Sequence, residues 1–118
     1  MAPPPDAVFI CNQTMSLGVL QALRELRLRV PEDVAVVGFD DAPWVPHLST
    51  PLTVVAQRPE ELGAKAAQLL LRRLRREERR EQPVVEVVPT ELVVRESTAG
   101  RPAAREEVPT GNDTGIGL

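Results

Sequence analysis

The chain has 118 residues, 42% hydrophobic and 26% charged, with a net charge of −3. This suits one small globular domain, although a domain this short buries only about two-thirds of its unfolded surface. The acidic balance excludes an overall field toward nucleic acid or anionic membrane, and the single cysteine excludes an internal disulfide framework.

No stretch is apolar for long enough to span a bilayer. The first residues, with Pro3, Pro4 and Pro5, lack the basic start and apolar core of a secretory signal. A cytoplasmic protein in a reducing compartment is expected, with no membrane partner.

Residues 7–11, Ala-Val-Phe-Ile-Cys, read as a first strand that stops on Asn12 and Gln13. Cys11 is expected to act as a small buried hydrophobe. Asn12 is a good helix N-cap, and residues 15–28 carry a helical pattern in which Met15, Val19, Leu20, Leu23 and Leu26 recur at helical spacing. Pro31 closes the link to residues 34–39, four aliphatic residues with Gly38 and Phe39, which fit a strand covered on both faces. Strand, helix and strand within about 40 residues make a βαβ unit and imply a parallel sheet.

The second strand stops on Asp40 and Asp41. Residues 42–51 carry three prolines and predict an irregular loop with room for one helical turn. Residues 52–56 predict a third strand ending on Gln57, and Pro59 opens a helix to about residue 76 that frays through residues 77–81. Two extended pieces follow, residues 84–88 and 91–95. The small, polar, Gly- and Pro-containing residues from Ser97 onward predict a disordered tail.

In open α/β sheets, ligands sit beyond the carboxyl ends of the strands. Asp40 and Asp41 occupy such a place, where carboxylates can accept charge-assisted hydrogen bonds from ligand hydroxyls. The alternative is that one caps the turn and only the other faces ligand. Asn12 can offer a donor and an acceptor to the same ligand, or serve only as a cap. Gln57 can reach the same edge or be a solvated strand end. Trp44 suits a wall for an apolar sugar face, a plug in the lobe or a subunit contact.

His47 has no Cys, Asp or Glu at ligand spacing, so no metal site is expected. The six arginines between residues 72 and 80 suggest a nucleic-acid patch. Their plainer reading is a helix C-terminus complementing the macrodipole and relieved by three glutamates, since no aromatics interleave to stack on bases. There is no Gly-rich phosphate loop, no Cys-His or Ser-His pairing and no metal cluster, so neither an enzyme nor a cofactor is expected.

Five ordered segments resemble a known family. They are Asn12-Gln13 with Met15, Leu17 and Gly18; residues 29–34, Arg-Val-Pro-Glu-Asp-Val; residues 36–41, Val-Val-Gly-Phe-Asp-Asp; residues 51–57, Pro-Leu-Thr-Val-Val-Ala-Gln; and residues 89–97, ending Val-Arg-Glu-Ser. Together they resemble the effector-binding half of LacI/GalR-type bacterial transcription regulators, over about residues 5 to 98. Gln13 departs from the family's usual Asp.

The resemblance implies an incomplete α/β, three-layer parallel-sheet lobe of a periplasmic-binding-protein-like fold, with a small polar effector in the cleft between two lobes. Residues 5–57 and 90–98 would form the C-terminal effector lobe, residues 58–89 a crossover and helix belonging to the other lobe, and residues 99–118 a tail. It favours Asp40 and Asn12 as effector contacts, the outward side of the first helix (Leu17 before Leu20) as dimer interface, and His47 and Leu48 near that interface. A carbohydrate effector, a homodimer, and operator DNA reached only through a headpiece outside this chain are the implied partners. A periplasmic or transport-associated sugar-binding protein shares the fold and is the rival reading, with a small α/β enzyme third.

Overall fold

The computed structural model describes residues 3–75 and 82–100. Along the chain run β1 (Ala7–Phe9), α1 (Gln13–Glu25), β2 (Ala35–Phe39), a 3-10 turn (Val45–His47), β3 (Thr53–Ala56), α2 (Pro59–Leu74), β4 (Glu91–Val93) and a second 3-10 turn (Glu96–Thr98). Residues 76–81 and 101–118, which include the predicted fraying segment and nearly all of the predicted tail, lie outside the described residues.

The four strands form one sheet in the order β1-β2-β3-β4. β1 and β2 are parallel, with Phe9 opposite Val37, and β2 and β3 are parallel, with Phe39 opposite Val55. β4 returns antiparallel to β3, with Val54 opposite Val93. The sheet is therefore an open, mixed α/β sheet whose first three strands have the expected parallel direction.

The core is made by Ile10, Val34, Val36, Val45, Leu52 and Val54, each at most 2% exposed, with Leu23 and Ala42 beside them. Along β2 burial alternates: Val36 and Gly38 are buried, while Ala35, Val37 and Phe39 are only partly covered. The expectation of a strand covered on both faces is corrected here, because α1 is the one helix that packs on the sheet among the described residues.

α1 starts where Asn12 caps it, the Asn12 Oδ1 accepting from Met15 N at 2.9 Å. Its buried face is narrower than the apolar spacing suggests. Ser16 and Leu23 are buried and Val19 and Leu20 pack against the core, but Met15 and Leu26 stand more than half exposed. Ser16 faces Gly38, where an added Cβ would lie 3.4 Å from Ser16 Oγ and 3.3 Å from Val54 Cγ1. A small residue on each side lets the helix approach the strand closely, and the Ser16 hydroxyl is satisfied by Asn12 O at 3.0 Å.

The helix stops three residues earlier than its pattern predicts. Arg27 takes φ 55°, Leu28 N donates to Leu23 O and Arg27 N to Arg24 O, a helix-terminating pair of bonds that normally uses glycine. The link to β2 is tied by Asp33, which accepts from Arg29 N at 2.7 Å and Arg29 Nε at 3.0 Å.

Cys11 is exposed, correcting the buried placement. β1 ends at Phe9, Ile10 takes the core position and Cys11 turns outward.

Ser97 is fully buried and acts as a wedge in the sheet. The β2–β3 pairing starts at Val37 opposite Thr53. One rung below, where Thr53 N–H would donate to Val36 O in a continued ladder, Ser97 Oγ intervenes instead. It accepts from Thr53 N at 2.7 Å and donates to Val36 O at 2.6 Å, while Ser97 N donates to Pro51 O. That triple contact joins the last described turn to both central strands.

α2 contributes nothing to this core. It has no buried residue, packs on no other helix or strand among the described residues, and leaves Leu62, Leu70, Leu71 and Leu74 at 40% or more exposure. Among the described residues an ion pair of Lys65 with Glu86 at 3.8 Å links it to a later segment. Residues 84–88 pair with no strand among the described residues, and Val85 and Val87 are largely exposed.

Candidate functional site

Because β1, β2 and β3 are parallel, their carboxyl ends share one edge of the sheet. Asn12 follows β1 and Asp40 follows β2, each three residues beyond the opposed pair Phe9 and Val37. Gln57 follows β3, two residues beyond Val55, whose carbonyl accepts from Asp40 N at 2.9 Å. Neighbouring strands run about 4.8 Å apart, so three polar side chains stand along one short edge.

Asp40 has φ 76°, in the left-handed region. A non-glycine residue there costs roughly 1–2 kcal/mol, and Asp is one of the few that adopt it. The Asp40 carboxylate accepts a hydrogen bond from Gln57 Nε2 at 2.6 Å, so the ends of β2 and β3 are joined through side chains. Both residues are half-buried.

Among the described residues, Asp40 Oδ2, Gln57 Oε1 and the Asn12 amide nitrogen make no hydrogen bond, while the Asn12 oxygen is committed to the helix cap. The edge therefore offers a carboxylate and an amide oxygen as acceptors and an amide as donor, a set that suits hydroxyl groups. Cap and ligand roles are compatible at Asn12, since they use different atoms.

Asp41 lies elsewhere. Both of its oxygens are engaged by Arg95, Nη1 to Oδ1 at 2.8 Å and Nη2 to Oδ2 at 2.7 Å, a forked pair of charge-assisted bonds. The hydrogen bonds to Asp41 push the Arg95 guanidinium above its ordinary pKa, against a smaller lowering from burial. Trp44 is partly buried and packs against the core cluster.

Leu17, Leu20, Leu28, Val30 and Leu48 line a cleft of about 500 Å³ between α1 and the loop after the first 3-10 turn. Leu17 is half exposed and His47 is exposed nearby in sequence. Among the described residues no group of three His, Cys, Asp or Glu is arranged to hold a metal ion, and no helix is long and apolar enough to cross a membrane.

Sequence reasoning passed over Arg95 and Ser97, which make most of the side-chain bonds behind the site. The available signal was a strand run, Leu92-Val93-Val94, ending on a cation in a chain with two adjacent carboxylates at another strand end.

A family model for the periplasmic binding protein-like domain matches residues 1–98. The chain is 43% identical over 97 residues to the HTH-type transcriptional repressor PurR of Pasteurella multocida, covering 82% of this chain and 28% of that protein. It is 46% identical over 96 residues to the HTH-type transcriptional regulator CelR of Thermobifida fusca, with 81% and 28% covered.

Among solved structures, a CelR–cellobiose complex superposes with TM-score 0.73 at 45% identity, covering 80% of this chain and 28% of that one. The lac repressor dimer bound to operator and the anti-inducer ONPF superposes with TM-score 0.68 at 32% identity, again with 80% and 28% covered. A ribose-bound LacI-family regulator from Enterococcus faecium gives TM-score 0.70 at 31% identity, with 80% and 34% covered. The chain belongs to the periplasmic-binding-protein-like family, in the branch that forms the effector-binding domains of LacI/GalR-type regulators. It spans 28% of the length of the PurR and CelR relatives.

Proposed function

We propose that this chain is the effector-sensing, dimerising part of a LacI/GalR-like transcriptional regulator, acting in the cytoplasm as a sensor without catalysis or cofactor. The observation that carries the proposal is the Asp40–Gln57 hydrogen bond at a strand-end edge shared with Asn12. In this reading Asn12, Asp40 and Gln57 contact the effector. Trp44 and Asp41 support them from the loop behind.

Residues 5–57 and 90–98 belong to the effector lobe, and residues 58–89 cross to a second lobe that this chain does not contain. The exposure of every leucine-bearing turn of α2 supports that division. The effector is a small polyhydroxylated molecule of carbohydrate kind, in keeping with the ribose and cellobiose complexes of the relatives. The cleft bounded by Leu17, Leu20 and Leu48, with His47 beside it, is the proposed dimer face. Effector binding would shift the population between open and closed lobe arrangements. Operator DNA would be read by a headpiece outside this chain. The relatives above are transcriptional regulators, which favours this reading over a transport-associated sugar-binding protein.

The test is titration of the chain with ribose, cellobiose and sucrose while the side-chain amide resonances of Asn12 and Gln57 are followed by NMR. At least one sugar should shift both resonances, with the weak affinity of a half-cleft, and Asp40→Ala should abolish the shift. No shift with any of the three, or an equal shift in Asp40→Ala, refutes the proposal.

A further inference from the structure

The two carboxylates at the end of β2 go to different partners, Asp40 to Gln57 and Asp41 to Arg95. What separates them is the left-handed turn at Asp40. That turn is held on one side by the Asp40 N to Val55 O bond and on the other by the clamp on Asp41. Arg95 is itself immobilised. Its Nη1 also donates to Leu52 O at 3.0 Å, its main-chain N donates to Thr53 Oγ1 at 2.9 Å, and its carbonyl accepts from Thr53 Oγ1 at 3.1 Å. The Arg95 side chain is 17% exposed and the Asp41 side chain 30%, so the clamp is fixed to the start of β3 while its acidic end stays open to solvent.

We infer that Arg95 and Asp41 are positioning residues: their ion pair holds the turn after β2 and so aims the Asp40 carboxylate at Gln57, where the effector is read. For its purpose the inference rests on the proposed effector site, but its geometry stands without a ligand. A forked contact of this kind depends on the planar guanidinium, which lysine cannot reproduce.

The experiment uses the isotope-labelled 118-residue chain without any sugar. The Gln57 side-chain amide signal is identified by its loss in Gln57→Glu, and its unbonded position is calibrated with Asp40→Ala. Asp41→Asn should move the Gln57 signal most of the way to the Asp40→Ala position, and Arg95→Lys should move it in the same direction. The main-chain signals of Val36 and Val54 should stay in place, reporting an intact sheet.

A pair that only fastened β4 would lower the melting temperature and leave the folded-state Gln57 signal at its wild-type position. That result overturns the inference. If Asp41→Asn does not fold, the Arg95→Lys spectrum decides alone. Since no sugar is present, failure of the chain to bind sugars refutes the effector reading while this measurement still stands.

Discussion

Ser97→Ala removes one oxygen from the most buried polar position in the sheet. The alanine keeps the Cβ and the main-chain bond to Pro51 O, so only the relay between β2 and β3 is lost. Val36 O and Thr53 N are left facing a gap with no water access, since Ser97 is 0% and Thr53 3% exposed. Each unsatisfied buried group costs about 1–3 kcal/mol. Partial closure of the strands can recover some of this, which sets the expected loss at about 2–4 kcal/mol.

Against a total of roughly 5–15 kcal/mol for a whole domain, that is a large fraction for a chain this short. Urea unfolding followed by fluorescence of Trp44, the only tryptophan and packed on the core, measures it directly. With a slope near 1 kcal/mol per molar urea, the midpoint should fall by about 2 M or more. A loss below about 0.5 kcal/mol would show that Val36 and Thr53 re-pair without Ser97, and the wedge would then be a passenger of the fold.

Two further outcomes follow from helix geometry. Arg27→Gly relieves a left-handed residue at the end of α1 without disturbing the bonds of Leu28 and Arg27 main-chain nitrogens, and should raise stability by about 0.5–1 kcal/mol in the same urea assay. Hydrogen exchange should find residues 61–74 nearly unprotected while Val36 and Val54 exchange slowly, because an isolated helix of this length is marginal in water and α2 buries no side chain. The exposed leucines should also make sedimentation concentration-dependent. Protection in α2 equal to that of β2 in a monomeric sample would contradict the reasoning.

Alternation and capping made much of the chain legible from residue types alone. The aliphatic runs at residues 7–10, 34–39 and 52–56 are short, rich in β-branched residues and suited to strands in a sheet, and Asn12 caps α1 as its side chain predicts. Placing Asp40 and Gln57 at strand ends followed from those runs, whereas the bond between them appears only in the folded sheet. The reach of α1 was overestimated because Arg27 sits where glycine normally announces a stop. The faces of β2 were misjudged because an aliphatic run records what a strand can bury rather than what is present to cover it.

Local pattern thus determined the strands, the caps and the edge on which polar groups gather, because each depends on neighbours within a few residues. Tertiary structure decided which carboxylate turned to Gln57 and which to Arg95, 54 residues away, and where Ser97 lodged, 61 residues from Val36. Those contacts have no short-range signature: a hydroxyl or a guanidinium carries the same local preference wherever it ends up. Only closure of the sheet brings β4 and its following turn against β2 and β3, and only then does desolvation make the choice of partner unique.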